Sequence, residues 1–441
     1  MSRKRRCLLV ECLPYHWEVL PHWVGLLERL GYEVDVAAAG GTAGHRETLA
    51  LLRSRCRTHE PGEIRDLPLH EFDFVLVNSL VHDGYFFADR LDPRPNLAWI
   101  ESLGLPSISV IHEPIHWVEK RVAHGFDEIG PSGRRRLGLL VDGCFQYDGG
   151  FWSPRPWALA DDRLLLPEGG RVRIFESTDG GRSYEGLGAD DGTRLLRRAD
   201  TAEDPARHCA GGRHAVVALT EPAAAHLARV CDSIDWLLPF EIQERLASRA
   251  TGGIAFAGTI DYDRKAIPSL LQGCTALRDG QRIGIIGGSR DAAFDQDRTI
   301  RQFKAQIAEA GLGSCFDFTG YLPYGDFVEA IRPCRFLLAL VDDYVDSGHY
   351  LLKLPAIVAS SLGLGVPMIL NRTVAARFGL DYMICYPGDD LASGLRAAEA
   401  LSPAAYGDIL AALDRQAASL DRRNLRVLSG LIDRILSKHA A

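Results

Sequence analysis

The chain has 441 residues, 46% of them hydrophobic and 24% charged, which is the composition of a folded globular protein. This length exceeds one ordinary hydrophobic core, so we expect two or three domains. A net charge of −8 and an isoelectric point of about 6.0 argue against binding to nucleic acid and against a broadly cationic membrane-binding face.

The first 40 residues predict a βαβ unit. Residues 1–6 are mostly basic, but the apolar run that follows is interrupted by Glu11 and predicts a strand at 7–11 rather than a secretory signal. A loop at 14–18, a helix ending near Leu30 and a second buried strand at 33–37 follow. Such a unit implies a parallel sheet.

Two further strands, at 74–78 and 107–111, continue this sheet. Asp83 lies shortly after the first of them, and His112 and Glu113 come directly after the second. Ligands of open α/β sheets bind at the carboxyl ends of parallel strands. We therefore expect these residues, with His16 in the first loop, to line a crevice.

Residues from 127 to about 210 break the α/β rhythm. Turn-forming residues alternate there with short apolar runs, which predicts a β-rich insertion. The segment 177–184, STDGGRSY, is similar to a single Asp-box turn, S-x-D-x-G-x-[ST]-[WY]. Turns of this kind cap hairpins, so we expect a stabilised hairpin, with a glycan-binding site as the alternative.

A second α/β block follows a strand at 215–219, a segment at 236–240 and a crossing point near 240–250. Its predicted strands lie at 254–257, 282–286, 316–318, 336–340 and 367–370. Two helical segments, at 403–417 and 421–438, end the chain.

The second block contains features of an anion site. Gly258 ends a strand, with Lys265 a few residues on, and a small-residue turn at 347–349 precedes a helix-length segment closed by Gly363 and Gly365. A helix that opens at such a turn presents backbone N–H groups and the positive end of its dipole, which suits a diphosphate. The Gly287-Gly288 pair is not G-x-G-x-x-G, so nicotinamide or flavin binding is not supported.

The order of these motifs resembles the C-terminal half of GT-B glycosyltransferases. The segments are GTI with Lys265, then IIGG, then FTGYLPYGDFVEAIRPCRFLLAL, then KLPAIVASSLGLGVPMI. The resemblance covers about 250–400 well, 1–125 and 215–240 more loosely, and 127–210 not at all. It implies two Rossmann-like domains facing a cleft: an acceptor domain over 1–240 that carries the insertion, a nucleotide-sugar domain over 241–405, and C-terminal helices over 406–441 that pack back across both.

The resemblance also implies a donor site, carried over position by position. The phosphate-binding lysine falls on Lys265, its arginine partner on Thr259, for which Arg264 is the substitute, and aromatics near Tyr321 are placed to stack on a base. The family's two acidic positions fall on Leu352 and Ser360, so the domain resembles the E-x7-E type but lacks both glutamates, and the retaining and inverting courses both stay open. The donor-binding set is Gly258, Arg264, Lys265, Tyr321, Ser347, Gly348, His349, Lys353 and Ser360.

An inverting transferase needs a general base for the acceptor hydroxyl. Our candidates, in order, are His112, Glu113, His16 and Asp83. We expect no metal or other cofactor, because GT-B enzymes neutralise the leaving diphosphate with cationic side chains and a helix N-terminus. The ten cysteines are scattered without zinc spacing, as in reduced cytosolic proteins.

The resemblance therefore predicts a cytoplasmic glycosyltransferase that moves a sugar from a nucleotide-sugar to an unidentified small molecule, glycan or glycolipid. The alternatives are a nucleotide-sugar epimerase or a phosphorylase on the same fold, or a non-catalytic protein that binds a glycan or a partner. No segment approaches 18 uncharged apolar residues, so no transmembrane segment is expected. Peripheral contact with anionic lipid through the basic residues at 3–6 stays open.

Overall fold

The computed structural model describes residues 4–11, 16–38, 43–80, 96–112, 114–119, 123–129, 135–141, 144–147, 159–160, 163–168, 171–178, 183–187, 194–197, 205–232, 234–244, 252–262, 265–275, 277, 280–288, 294–341, 352 and 355–439.

In chain order, the strands in these ranges are β1 (Arg6–Glu11), β2 (Glu33–Ala38), β3 (Arg57–His59), β4 (Phe74–Leu80), β5 (Ser107–Ile111), β6 (Ala123–Ile129), β7 (Arg135–Val141), β8 (Cys144–Tyr147), β9 (Leu159–Ala160), β10 (Arg163–Glu168), β11 (Arg171–Glu176), β12 (Ser183–Leu187), β13 (Arg194–Arg197), β14 (His214–Ala218), β15 (Asp235–Trp236), β16 (Ile254–Thr259), β17 (Ile283–Gly288), β18 (Phe316–Gly320), β19 (Phe336–Leu338), β20 (Met368–Asn371) and β21 (Ile384–Tyr386). The α-helices are α1 (Leu20–Arg29), α2 (Ala43–Leu52), α3 (Asn96–Ser102), α4 (Pro114–Glu119), α5 (Pro205–Ala210), α6 (Glu221–Leu227), α7 (Ile267–Cys274), α8 (Arg298–Glu309), α9 (Tyr324–Ile331), α10 (Ala356–Leu364), α11 (Arg372–Arg377), α12 (Leu391–Ala400) and α13 (Pro403–His439).

Two parallel sheets form the centres of two lobes. The N-lobe sheet has the order β15-β14-β5-β4-β1-β2-β3, and the C-lobe sheet has the order β18-β17-β16-β19-β20-β21. The winding direction reverses between β1 and β4 in the first sheet and between β16 and β19 in the second. The predicted fold class, two doubly wound Rossmann-like domains, is confirmed, and the reversal points mark where ligands of such sheets bind.

Helices cover both faces of the central strands, which is why those strands are continuous apolar runs. Residues 7–10 of β1 and 336–338 of β19 are completely buried. The N-lobe core packs around Trp23 and Phe74, and the C-lobe core lies on the two faces of its own sheet.

The predicted β-rich insertion is present, but its strands begin at Ala123 and end at Arg197, and Pro205–Ala210 is a helix. Strands β6 to β13 form a separate antiparallel sheet with the order β8-β7-β6-β13-β12-β11-β10-β9. Its β11–β12 hairpin encloses the Asp-box-like segment. Phe175 and Tyr184 are fully buried, whereas their neighbours Glu176 and Glu185 are exposed, so one face of this hairpin is covered and the other faces solvent.

The chain ends in one helix of 37 residues, α13, and the prediction of two separate segments is wrong. Residues 418–420 contain neither glycine nor proline, so nothing ends the helix there. Its first half packs in the C-lobe core through Leu413, and its second half packs in the N-lobe core through Leu428. The helix therefore spans both lobes.

Candidate active site

A buried polar network lies at the carboxyl ends of β1 and β4. The Glu11 carboxylate is fully buried and accepts hydrogen bonds from the Ser79 hydroxyl at 2.8 Å and from the Asn78 amide. The Trp23 indole N–H donates to Asn78 Oδ1 at 2.7 Å. A buried carboxylate needs hydrogen-bond donors, and Ser79 and Asn78 supply them to Glu11. Contacts with Glu11 and Trp23 in turn hold the Asn78 amide in one orientation.

His112 lies at the end of β5, next to this network, and is 7% exposed. Its Nε2 atom lies 2.7 Å from the backbone carbonyl oxygen of Asn78. A carbonyl oxygen can only accept, so Nε2 carries the hydrogen and, in the neutral ring, Nδ1 carries the lone pair. Nδ1 is therefore the atom of His112 that can take up a proton.

The structure brings His16 and His112 together. Their rings stack with centroids 3.9 Å apart and an interplanar angle of 19°. His16 has a left-handed backbone with φ of 61°, and its carbonyl accepts from Asn78 Nδ2 at 3.1 Å. Ring-nitrogen lone pairs lie in the ring plane, so two parallel stacked rings cannot point at one ion. Within the described ranges no group of three His, Cys, Asp or Glu residues is placed to hold a metal.

The reversal point of the C-lobe sheet is formed by glycines and by Lys265. Gly258, near the end of β16, has φ of 122°, and its partner Gly287 on β17 has φ of 83°. Residues with a Cβ rarely adopt these φ values, and glycine leaves the backbone accessible there. The amide that follows Lys265 donates to the Leu340 carbonyl at 2.9 Å, just past the end of β19. Lys265 thus lies where β16 and β19 diverge.

Helix α10 does not begin at the predicted turn. The helix starts at Ala356 with Pro355 at its N-cap, and Gly365, with φ of 64°, ends it. The expectation that the helix opens at 347–349 is therefore wrong, because Pro355 fixes a later start. Ser360 lies inside the helix, where its hydroxyl donates to the Ala356 carbonyl at 3.4 Å.

Tyr321 lies between the lobes. Its hydroxyl donates to Glu47 Oε2 in α2 at 2.7 Å, so the side chain joins the C-lobe to the N-lobe. Nearby, the rings of Trp17 and Tyr324 meet edge to face with centroids 5.9 Å apart. Burial, and then the charge of Glu18, raises the pKa of Tyr324 well above its usual range, so this phenol is neutral.

Seven of the predicted site residues lie outside the described ranges: Asp83, Glu113, Arg264, Ser347, Gly348, His349 and Lys353. Sequence reasoning did not select Glu11, Asn78 and Trp17 as site residues, and it considered Tyr324 only as an aromatic that could stack on a base. A polar pair at the end of a buried strand, Asn78-Ser79, and a glutamate ending another were the available signals. Their mutual contact joins positions 67 residues apart in the chain.

None of the described helices combines the length and the apolarity that crossing a bilayer requires.

Comparison with solved structures finds similar folds over nearly the whole chain. A glycosyltransferase from Rickettsia africae ESF-5 aligns with a TM-score of 0.55 and 10% identity, over 98% of this chain and 99% of that one. Anabaena Alr3699/HepE in complex with UDP-glucose aligns with a TM-score of 0.53 and 10% identity, over 96% and 99%. The same protein with UDP and glucose gives 0.52 and 9%, over 97% and 100%.

No protein-family model matches the sequence, and a search of curated proteins finds no significant match. At such low identity the structural likeness establishes the architecture alone. The sheet orders, the two reversal points and these alignments together show that the chain has the GT-B fold.

Proposed function

We propose that the protein is a glycosyltransferase that moves a sugar from a nucleotide-sugar to an acceptor hydroxyl. The observation that carries this proposal is the presence of two different sites: a buried polar network with a histidine pair in the N-lobe, and a sheet reversal point with Gly258 and Lys265 in the C-lobe. The Anabaena neighbour was solved with UDP-glucose, which supports a nucleotide-sugar donor here.

On the acceptor side, His112 is the proposed general base. The acceptor hydroxyl gives its proton to Nδ1 while its oxygen bonds to the sugar anomeric carbon. The bond from that carbon to the diphosphate breaks, and the electron pair leaves with the nucleoside diphosphate. The Asn78 carbonyl holds Nε2–H and stabilises the imidazolium that forms. His16 supports the ring, and Glu113 and Asp83 remain further candidates for the base.

On the donor side, the Lys265 ammonium is proposed to neutralise the diphosphate. Gly258 allows the phosphates to approach the backbone closely, since no Cβ stands in the way. Arg264, Lys353, Ser360 and the turn at 347–349 complete the proposed donor set, with Tyr321 at its edge toward the N-lobe. This arrangement replaces a metal ion by fixed positive groups.

Leu352 and Ser360 stand where the retaining group has two glutamates. Neither side chain can act as a carboxylate, which favours a base on the N-lobe and hence the inverting course. We place the enzyme in the cytoplasm, in line with its thiol pattern.

The Rickettsia africae neighbour is a glycosyltransferase, and this favours transfer over epimerase, phosphorylase or non-catalytic binding. The test is acceptor-dependent release of nucleoside diphosphate, measured across a panel of nucleotide-sugars. Before that, thermal unfolding with each nucleoside diphosphate identifies the base, because a ligand at 100 times its Kd adds about 2.7 kcal/mol to the free energy of unfolding. Binding without any acceptor-dependent turnover would support the non-catalytic alternative instead.

A further inference from the structure

Trp17 is held between the two lobes. It directly follows His16, in a short 3-10 helix, Trp17–Val19. On one side its indole lies against α2 at Gly44, where an added methyl group would overlap the indole ring. On the other side it meets Tyr324 of the C-lobe edge to face, with centroids 5.9 Å apart and an interplanar angle of 86°. Trp17 is thus wedged between α2 and α9.

A second contact joins α2 to the segment just before α9. The Tyr321 hydroxyl donates to Glu47 Oε2 at 2.7 Å, and Glu47 lies three residues after Gly44 on α2. Residues three apart on a helix lie on one face. The two contacts therefore set the distance between α2 and the start of α9, and with it the width of the slot that holds Trp17.

On its other side the Trp17 loop contacts the proposed base. The left-handed backbone of His16, at φ of 61°, costs about 1 kcal/mol for a residue with a Cβ. Such a conformation persists when its surroundings hold it. Here the Asn78 amide holds the His16 carbonyl, and the His16 ring in turn stacks on His112.

We infer that Trp17 and Tyr324 are positioning residues. Through them, the position of the C-lobe relative to the N-lobe controls the orientation of the His112 ring. When the C-lobe moves away, Trp17 loses its edge contact, the His16 turn loses its outer support, and the stacking that orients His112 weakens. The catalytic consequence rests on the proposed function: the base is aligned only when the donor-binding lobe is in place.

The structural half of the inference is tested without any substrate. Nuclear magnetic resonance of protein carrying 13C-labelled histidine reports the His112 ring proton, identified by its loss in His112→Asn. The Tyr324→Ala variant should shift this resonance, because the stacked ring moves. Tyr324→Phe keeps the ring that contacts Trp17, so the His112 resonance should not shift. Gly44→Ala, which displaces the indole from the opposite side, should reproduce the shift. An unmoved resonance in both Tyr324→Ala and Gly44→Ala overturns the inference.

The catalytic half is tested by a double-mutant cycle. Tyr324→Ala should lower acceptor-dependent kcat by about tenfold or more and leave the Kd for UDP within about threefold. In the His112→Asn background the same change should cause no further loss, since the base it orients is gone. Equal losses in both backgrounds would show general disruption and overturn the coupling.

A matched truncation provides the control. Tyr382, in the same lobe, donates its hydroxyl to Gln416 on α13, and Tyr382→Ala should leave kcat near that of the unmodified protein. If the unmodified protein neither binds a nucleoside diphosphate nor turns over, the proposed function fails. The resonance experiment still decides the coupling in that case.

Discussion

At the scale of single residues, the most specific chemical feature of the site is the tautomer of His112. The Asn78 carbonyl assigns the hydrogen to Nε2, and this leaves Nδ1 as the basic nitrogen. At position 112, a side chain that can donate this hydrogen bond but cannot act as a base should preserve the fold and abolish the proton transfer.

We therefore expect His112→Asn to lower acceptor-dependent kcat by about 10²–10⁴, the usual contribution of a general base. Binding of UDP by calorimetry should change little, because the proposed donor site lies in the other lobe. Unchanged turnover in this variant would remove His112 from the mechanism and pass the role to Glu113, His16 or Asp83.

His22 supplies a prediction about acid stability. Burial, and then the charge of Arg55, lowers its pKa to about 4, and its Nδ1 atom has no hydrogen-bond partner. In the unfolded chain the pKa is about 6.5, so below that pH the unfolded state binds more protons. Stability is full above pH 6.5 and falls as the pH drops toward 4, by about 3 kcal/mol at most.

The matching variant is His22→Gln, which cannot be protonated. Its free energy of unfolding should fall less between pH 6.5 and 4 than that of the unmodified protein, as measured by urea denaturation at several pH values. His208 and His214 also have pKa values lowered by burial, so some acid sensitivity should remain. Identical pH profiles would show that His22 is not the titrating group.

At the scale of elements, the contact between Trp17 and α2 depends on a missing side chain. Gly44→Ala should lower the free energy of unfolding by about 1–3 kcal/mol, since a methyl group there overlaps the indole. Gly407→Ala is the matched control, because a Cβ on that exposed face of α13 meets nothing within 4 Å. It should raise stability by about 0.5–1 kcal/mol. Thermal unfolding of both variants distinguishes packing from helix propensity.

Elements that depend on local signals were predictable. The apolar runs at 7–11, 107–111 and 254–257 are strands in the structure, since a strand buried on both faces needs little more than a short apolar segment. The three-residue strands β3 and β21 were missed because a polar or very short segment becomes a strand only by pairing with a neighbour. The late start of α10 was missed because the glycine turn outweighed Pro355 in the prediction.

The candidate site was predictable only in part, for a related reason. A histidine after a strand end is visible in a sequence, and His16 and His112 were both predicted. Which groups surround them depends on contacts between distant positions. The clearest case is Tyr321, whose hydroxyl contacts Glu47, 274 residues away.

At the scale of the whole molecule, α13 joins the lobes beside the point where the chain leaves the N-lobe core at Leu237 and enters the C-lobe core at Leu238. This point lies earlier than the predicted crossing near 240–250. The Asn424 side chain is fully buried, accepts from the Leu238 amide at 3.0 Å and donates to the Leu238 carbonyl. Arg29 of α1 also pairs with Asp421 through two hydrogen bonds, at 2.6 and 2.9 Å. Residues 421–424 of α13 therefore contact both α1 and the segment that connects the two lobes.

Asn424→Ala should therefore lower the free energy of unfolding by about 2–4 kcal/mol, because two backbone groups of Leu238 lose their partners in a buried setting. Arg426→Ala, at an exposed position of the same helix, should change it by less than about 0.5 kcal/mol. Chemical denaturation measures both. Equal effects would mean that the helix contributes through its length and not through this contact.

The register of β5 and β14 has a practical consequence. These strands pair directly, with Ser107 opposite His214 and Ile111 opposite Ala218, although the entire antiparallel sheet of the insertion lies between them in the chain. In topological terms the insertion is an excursion from an otherwise complete lobe. A short linker in place of the insertion would lower the entropic cost of bringing β5 and β14 together by about 2 kcal/mol. This cost grows with the logarithm of the length of the connecting segment. Replacing this module with a short linker should therefore leave the pairing of β5 with β14 intact.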